Sequence, residues 1–395
     1  VQWLDDAVSM LALARDKKTT SWAERGVTAG VFLGFGLGVG AWASSIPYFK
    51  ARLGLSDGEL SFALVSLMAG SIVSMPVMGP LAARIGSGRS LRFLALAYPL
   101  TMLLPRLADS LPMLMAATFA IGLGNGAMDV VMNTHASDIE RRWKVPIMSS
   151  FHAGYSLGGL LGAALGGLLA ARGLIVDALP VATAICVLIA ALSWTSVGRG
   201  AVAKGGGSGL ALPNLAVLPL CMLCLLCLLC EGAMADWSAV YLSTVVGTGP
   251  ALAAAGFAGF SAAMILGRLT GDAVTNRFGR RPVVRVGAAL ATIGLALAAA
   301  VPTSSAAIIG FALVGMGLAN VVPLTFGAAG RLAGLSPARG IAMVATAGYT
   351  GFLMGPPLVG GVASLVGLRS GVALVAICAA AALLLAGPAF RGGTE

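Results

Sequence analysis

Twelve apolar stretches, each long enough to cross a lipid bilayer as a helix, follow one another along this chain with short polar breaks between them. A bilayer's hydrocarbon core is about 30 Å thick and takes roughly 20 apolar residues per helical span. The stretches cover approximately residues 26–48, 58–82, 90–107, 111–136, 147–171, 175–196, 214–245, 250–275, 282–301, 304–329, 340–365 and 369–389. No soluble core accommodates this pattern: 58% of the 395 residues are hydrophobic and only 10% are charged. The chain is therefore expected to be an all-α integral membrane protein, because a span facing lipid must satisfy its backbone internally.

Nineteen of the 25 Lys and Arg fall in loops on one side of such a topology. The positive-inside rule then places both termini in the cytoplasm, with the chain multi-pass in the cell's inner membrane. The formal charge of +10 is thereby used in topology, and the scattered cations form no nucleic-acid patch. Residues 1–22 carry Asp5, Asp6, Arg15 and Asp16 and lack a long apolar core, so they read as a cytoplasmic segment and not a signal peptide.

The chain repeats itself. Residues 153–167 (AGYSLGGLLGAALGG) match 347–361 (AGYTGFLMGPPLVGG), and the loop AARIGSGR (82–89) falls on TNRFGRRP (275–282). Gly122 and Gly124 likewise meet Gly315 and Gly317. Two six-helix halves are expected, at 23–198 and 214–390, joined by a Gly-rich cytoplasmic linker at 199–213 and followed by a tail at 391–395. Such duplication implies a binding site between the halves near the midplane, reached alternately from each side.

The loop after the second span, with Gly79, Leu81, Ala82, Arg84, Gly86 and Arg89, resembles the signature of the major facilitator superfamily. It departs at Ala83, where that family usually has Asp, and the second copy has Asn276 there. The stretches GNGAMDVVMN (124–133), PIMSSFHAGYSLGG (146–159) and EGAMADWSAVYL (231–242) resemble the branch of L-fucose and rhizopine-associated permeases. That resemblance implies a proton-carrying carboxylate in helix 4, where Asp129 stands. The branch's helix-1 acid is unmatched, the position being Ala43, but the internal repeat lays Asp236 over it.

Ionisable groups inside spans are costly in hydrocarbon and mark function by default. Asp129, Glu231, Asp236 and His152 are the candidate proton-coupling groups. Asn133 lies one turn beyond Asp129 on the same face. Asn125, Asn320, Trp42, Trp237, Tyr155 and Tyr349 join it as candidate solute-binding residues, the aromatic faces suiting sugar rings. Glu231 and Asp236 are five residues apart and point about 140° from each other, so they form no dyad; one is expected to face the cavity and the other a neighbouring helix. Arg268 and Asp272 have ion-pair spacing and, with Arg84, Arg89, Arg277 and Arg281, read as a cytoplasmic gate. His135 reads as structural.

Cys221, Cys224, Cys227 and Cys230 mimic a cluster motif. On a helix they spread half-way round and about 13 Å along, so no single metal site gathers them. Neither a nucleotide loop nor a cofactor fingerprint is present, which points away from an enzyme and toward a carrier driven by a gradient. The leading expectation is a monomeric proton-coupled symporter of a small polyhydroxylated solute such as a sugar, polyol or amino sugar. The alternative is a proton-driven efflux carrier for amphipathic, drug-like or lipid-like molecules. The topology predicts that a fluorescent-protein fusion at residue 395 folds and emits in the cytoplasm, while alkaline phosphatase fused at Asp109 is active outside. Fusions reporting the reverse would overturn the orientation.

Overall fold

The computed structural model describes residues 22–143, 147–197, 217–329 and 337–390. Within them the chain forms α1 (Trp22–Arg52), α2 (Asp57–Ile85), α3 (Ser87–Thr101), α4 (Leu111–Trp143), α5 (Met148–Ala171), α6 (Ala178–Ser193) and α7 (Leu218–Thr244). They are followed by α8 (Pro250–Phe278), α9 (Arg280–Ala300), α10 (Ser304–Leu318), α11 (Val321–Ala329), α12 (Pro337–Val366) and α13 (Leu368–Ala389). Among these residues eleven segments are long and apolar enough to cross a membrane. The expected N-terminal segment up to residue 21, the 199–213 linker and the 391–395 tail lie outside the described residues.

Two spans differ from the sequence expectation. The third, expected to run to residue 107, ends as an α-helix at Thr101 and continues as a 3₁₀ turn, Leu104–Leu107. Pro105 explains the change, since it lacks the N–H that would bond the Thr101 carbonyl in a continuous α-helix and its ring would meet that carbonyl. The tenth, expected as one helix, breaks between α10 and α11 at Ala319–Asn320. Pro323 sits four residues beyond Ala319, where its ring would meet that carbonyl in a continuous helix.

The duplication extends to backbone geometry. α2 joins α3 through Gly86 at φ 97°, and α8 joins α9 through Gly279 at φ 81°, so one left-handed residue turns the chain at matched positions of the repeat. Glycine alone adopts such angles without strain. Helix crossings repeat as well. A side chain at Gly122 would strike the Leu67 carbonyl, and one at Gly315 the Phe260 carbonyl, which is the same α4-on-α2 contact copied as α10 on α8. α1 and α5 pack backbone to backbone through Gly36, Gly40, Gly158 and Gly162. Where lipid supplies no hydrophobic drive between helices, close approach through small residues supplies van der Waals contact instead.

Between the halves, α5 packs on α8 and α2 on α12, with α1 on α7 completing the seam. The four cysteines of α7 are buried and free. Cys224 lies against Gly348 of α12, and Cys230 Sγ reaches the Val375 carbonyl of α13 at 3.8 Å, so they pack α7 inside its half.

Close packing gives a direct test. Gly158→Leu, which sets a branched side chain against the Leu33 carbonyl, is expected to lower stability by about 1–3 kcal/mol or to prevent folding. The checking measurement is the thermal midpoint in detergent. Gly361→Ala, with nothing within 4 Å of the added carbon, should leave it unchanged.

Candidate functional site

Asp129 lies 18 residues into α4, about 27 Å along the helix, and is half-buried at the seam. Asn133 Nδ2 donates to Asp129 Oδ1 at 3.0 Å and to the Asp129 carbonyl at 2.9 Å. Across the seam, the Tyr349 hydroxyl of α12 donates to Asp129 Oδ2 at 2.7 Å. Both carboxylate oxygens are therefore engaged, one from each half of the protein. Asn125 precedes Asp129 by one turn and is half-buried, so positions 125, 129 and 133 line one face of α4. Tyr349 keeps 39% of its surface open beside this contact.

A second group forms a step away on α5, α7 and α8. Arg268 Nη1 donates to Ser156 Oγ at 2.5 Å and to the His152 carbonyl at 3.2 Å. Its Nη2 stands 3.9 Å from Glu231 Oε1, an ion pair too long for a hydrogen bond. The sequence expectation paired Arg268 with Asp272 along one helix. The Asp272 side chain lies outside the described residues, and the guanidinium reaches across the seam because α8 packs directly on α5 at that level. Glu231, Tyr155 and Ser156 line a cavity with Phe257, Phe260, Ser261 and Phe352, drawn from both halves. Its free space of about 30 Å³ has room for about two waters and none for a sugar, so a solute needs the halves to part.

Glu231 and Asp236 divide as the helical angle requires. Glu231 borders the cavity, whereas Asp236 is 5% exposed and its Oδ2 has no hydrogen-bond partner among the described residues. Other expected solute contacts are drawn into the walls. Trp237 is fully buried with its ring against Gly360, and Trp42 is buried and stacked on Phe49 at 5.8 Å. Asn320 donates to the Gly267 carbonyl at 2.9 Å and packs against Gly271, holding the break of the tenth span to α8. In this conformation each of these three side chains is engaged in helix packing. The His152 ring packs edge-on to Phe32 at 5.6 Å, so its carbonyl and not its imidazole meets Arg268. Arg84, Arg89, Arg277 and Arg281 are exposed at the helix ends that carry the Gly86 and Gly279 turns, and they make that end of the bundle a basic face.

A buried polar cluster near the basic face escaped the sequence reading. Glu24 takes a bidentate grip from Arg142, at 2.7 and 3.0 Å, joining the start of α1 to the end of α4. His135, fully buried, has Nε2 3.6 Å from Glu24 and Nδ1 3.1 Å from Ser87 Oγ, which donates to Asp138 at 2.7 Å. Glu24, Asp138 and Arg142 lie near helix ends, where charges ordinarily face water. The one usable signal was the His135, Asp138 and Arg142 spacing, which sets all three on one face of α4.

Inter-half packing is tight on the face opposite the basic one. There Gly167 of α5 meets Ala251 and Ala254 of α8, and Gly58 of α2 meets Ser364 of α12. Toward the basic face the described meeting of α4 with α12 is the Tyr349–Asp129 bond, beside exposed Thr346, Tyr349 and Thr350.

Comparison with known proteins agrees with this architecture. The family model described as Major Facilitator Superfamily matches residues 28–258. An uncharacterized MFS-type transporter of Yersinia pestis is 36% identical over 87% of this chain and 89% of its own length. The membrane protein MosC of Rhizobium meliloti is 32% identical over 92% of this chain and 89% of its own length. Among solved structures, a point mutant of the nucleoside transporter NupG superposes with a TM-score of 0.77 at 12% identity, covering 93% of this chain and all of that one. A bacterial homolog of the human lysosomal transporter Spinster, in an inward-facing and occupied conformation, superposes at 0.71 with 14% identity, over 94% and 98%.

The closed face is testable. A β-carbon built at Gly58 stands 3.3 Å from that of Ser364, within a few tenths of an ångström of disulfide geometry. Gly58→Cys with Ser364→Cys, in a background lacking the six native cysteines, should cross-link on mild oxidation, as read by mass spectrometry. Failure to cross-link would mean that this face stands open.

Proposed function

Because the chain belongs to the major facilitator superfamily, we propose that this secondary transporter couples proton flow to symport of a small polyhydroxylated solute. The halves at 23–198 and 214–390 rock about the seam, in a monomer set in the inner membrane with its basic face and both termini in the cytoplasm. The observation that carries the coupling is the bond from Tyr349 of one half to Asp129 of the other. An ionised Asp129 is acceptor-only and matches two donors, Tyr349 and Asn133. A proton placed on Oδ2 would face the Tyr349 O–H, and the hydroxyl must turn away or become the acceptor. Loading Asp129 with a proton therefore loosens a contact that holds the halves together. That is the link a symporter needs between protonation and access.

Amide and hydroxyl groups at Asn125, Asn133, Ser156, Tyr155 and Ser261 offer donors and acceptors to a polyol, and Phe257, Phe260 and Phe352 offer faces to its C–H groups. The charges of Glu231 and Arg268 in the same wall speak against a lipid-like cargo. Arg84, Arg89, Arg277 and Arg281 are proposed to border the cytoplasmic mouth.

Asp129→Asn is expected to abolish uphill accumulation under an inward proton gradient in proteoliposomes while leaving solute exchange at equal pH. Tyr349→Phe, which deletes a hydrogen bond to a charged group, should shift the balance of inward and outward states about tenfold. Wild-type accumulation by Asp129→Asn under that gradient would remove the proton assignment.

A further inference from the structure

Three polar contacts run in a row through the buried cluster near the basic face. Asp138 Oδ2 meets Ser87 Oγ at 2.7 Å, Ser87 Oγ meets His135 Nδ1 at 3.1 Å, and His135 Nε2 stands 3.6 Å from Glu24 Oε1. Each contact needs one hydrogen between its two atoms, yet a neutral imidazole carries one, the serine hydroxyl carries one, and ionised carboxylates only accept. The two hydrogens serve the two shorter contacts: Ser87 donates to Asp138, and His135 Nδ1–H donates to Ser87. Nε2 then turns a lone pair toward Glu24. That contact is the one beyond hydrogen-bond length, with Nε2 unpartnered among the described residues. His135 is fully buried, so bulk water does not reach it.

One added proton completes the row. Placed on Nε2, it is donated to Glu24. Placed on Asp138, it turns Ser87 round, so that Ser87 donates to Nδ1 and leaves Nε2–H for Glu24. Either way an acceptor facing an acceptor becomes a charge-assisted hydrogen bond. Among the described residues the charges bearing on the imidazole are Glu24 of α1, Arg92 of α3, and Asp138 and Arg142 of α4. Both cations are engaged, Arg142 with Glu24 and Arg92 with the Val197 carbonyl at 2.9 Å. The row joins the first turn of α1, the first residue of α3 just after the Gly86 turn, and the last turns of α4. We infer that Glu24, His135, Ser87 and Asp138 form a proton-binding site separate from Asp129, and that loading it fastens the start of α1 and the turn before α3 to α4. The helix ends at the basic face are then held firmly in acid and more loosely as pH rises. Only the side from which the proton arrives rests on the orientation proposed above.

The chain has two histidines, so His152→Gln leaves a single imidazole whose tautomer nitrogen NMR reads directly in lipid nanodiscs. Between about pH 8.5 and about pH 5, His135 is expected to pass in one step from the Nδ1–H tautomer to a form protonated at Nε2. An amide at either end of the row supplies the third hydrogen without a proton, and the two amides do so with opposite tautomers. Glu24→Gln should hold the ring as Nδ1–H and Asp138→Asn as Nε2–H, neither changing over that range; should one variant fail to fold, the other still decides. Hydrogen exchange reads the fastening. At matched intrinsic rates, amides 26–30 and 90–94 should exchange about tenfold more slowly at the acid end, the weight of one hydrogen bond to a charged group. The difference should vanish in both amide variants. Asp129→Asn should leave the titration in place while removing proton-driven uptake, so the two proton sites stand or fall separately. A ring that keeps one protonation state throughout, an Nε2–H tautomer at the alkaline end, a titration that survives the amide substitutions, or equal exchange at both ends of the range would each overturn the site.

Discussion

A carboxylate at mid-membrane must find its donors inside the protein, because hydrocarbon offers none. Asp129 meets that demand with one donor from its own helix and one from the opposite half of the molecule. The two bundles are thus joined by a polar contact between α4 and α12. Glu231 and Arg268 show the same constraint in a weaker form, since the guanidinium is satisfied by α5 while the carboxylate is left facing a small cavity.

Glycine makes those meetings geometrically achievable. At Gly36, Gly158, Gly122 and Gly315 the neighbouring helix brings its carbonyl groups to where a side chain would otherwise stand. Helices are thereby held backbone to backbone within each half, while the seams between α2 and α12 and between α5 and α8 join one half to the other. The break at Ala319–Asn320 and the Pro356–Pro357 pair of α12 fall in second-half spans whose first-half counterparts lack proline at those positions. The two halves share a plan while differing in where their helices bend.

The candidate site was legible in part. Asp129 with Asn133 follows from a four-residue spacing, and the division of Glu231 from Asp236 follows from helical angle. Tyr349 stood among the aromatic candidates without a partner, because nothing in the sequence near 349 says that it meets residue 129. Arg268 was legible as an ionisable group within a span, but nothing in the sequence pointed to its hydrogen bond with a serine 112 residues away. Trp42 and Trp237 were legible by residue type, and only the tertiary structure shows both buried among packed helices in this conformation.

By itself the sequence determined that the chain spans a membrane as helices, that it is a duplicated six-helix unit, and which few ionisable groups lie within the spans. These are properties of composition, length and self-similarity, and hydrocarbon permits few other outcomes. Tertiary structure alone decided which of those groups meet. Partners such as Asp129 and Tyr349, or Arg268 and Ser156, lie on helices whose relative rotation and depth are set by many glycine contacts acting together. No local periodicity encodes that sum.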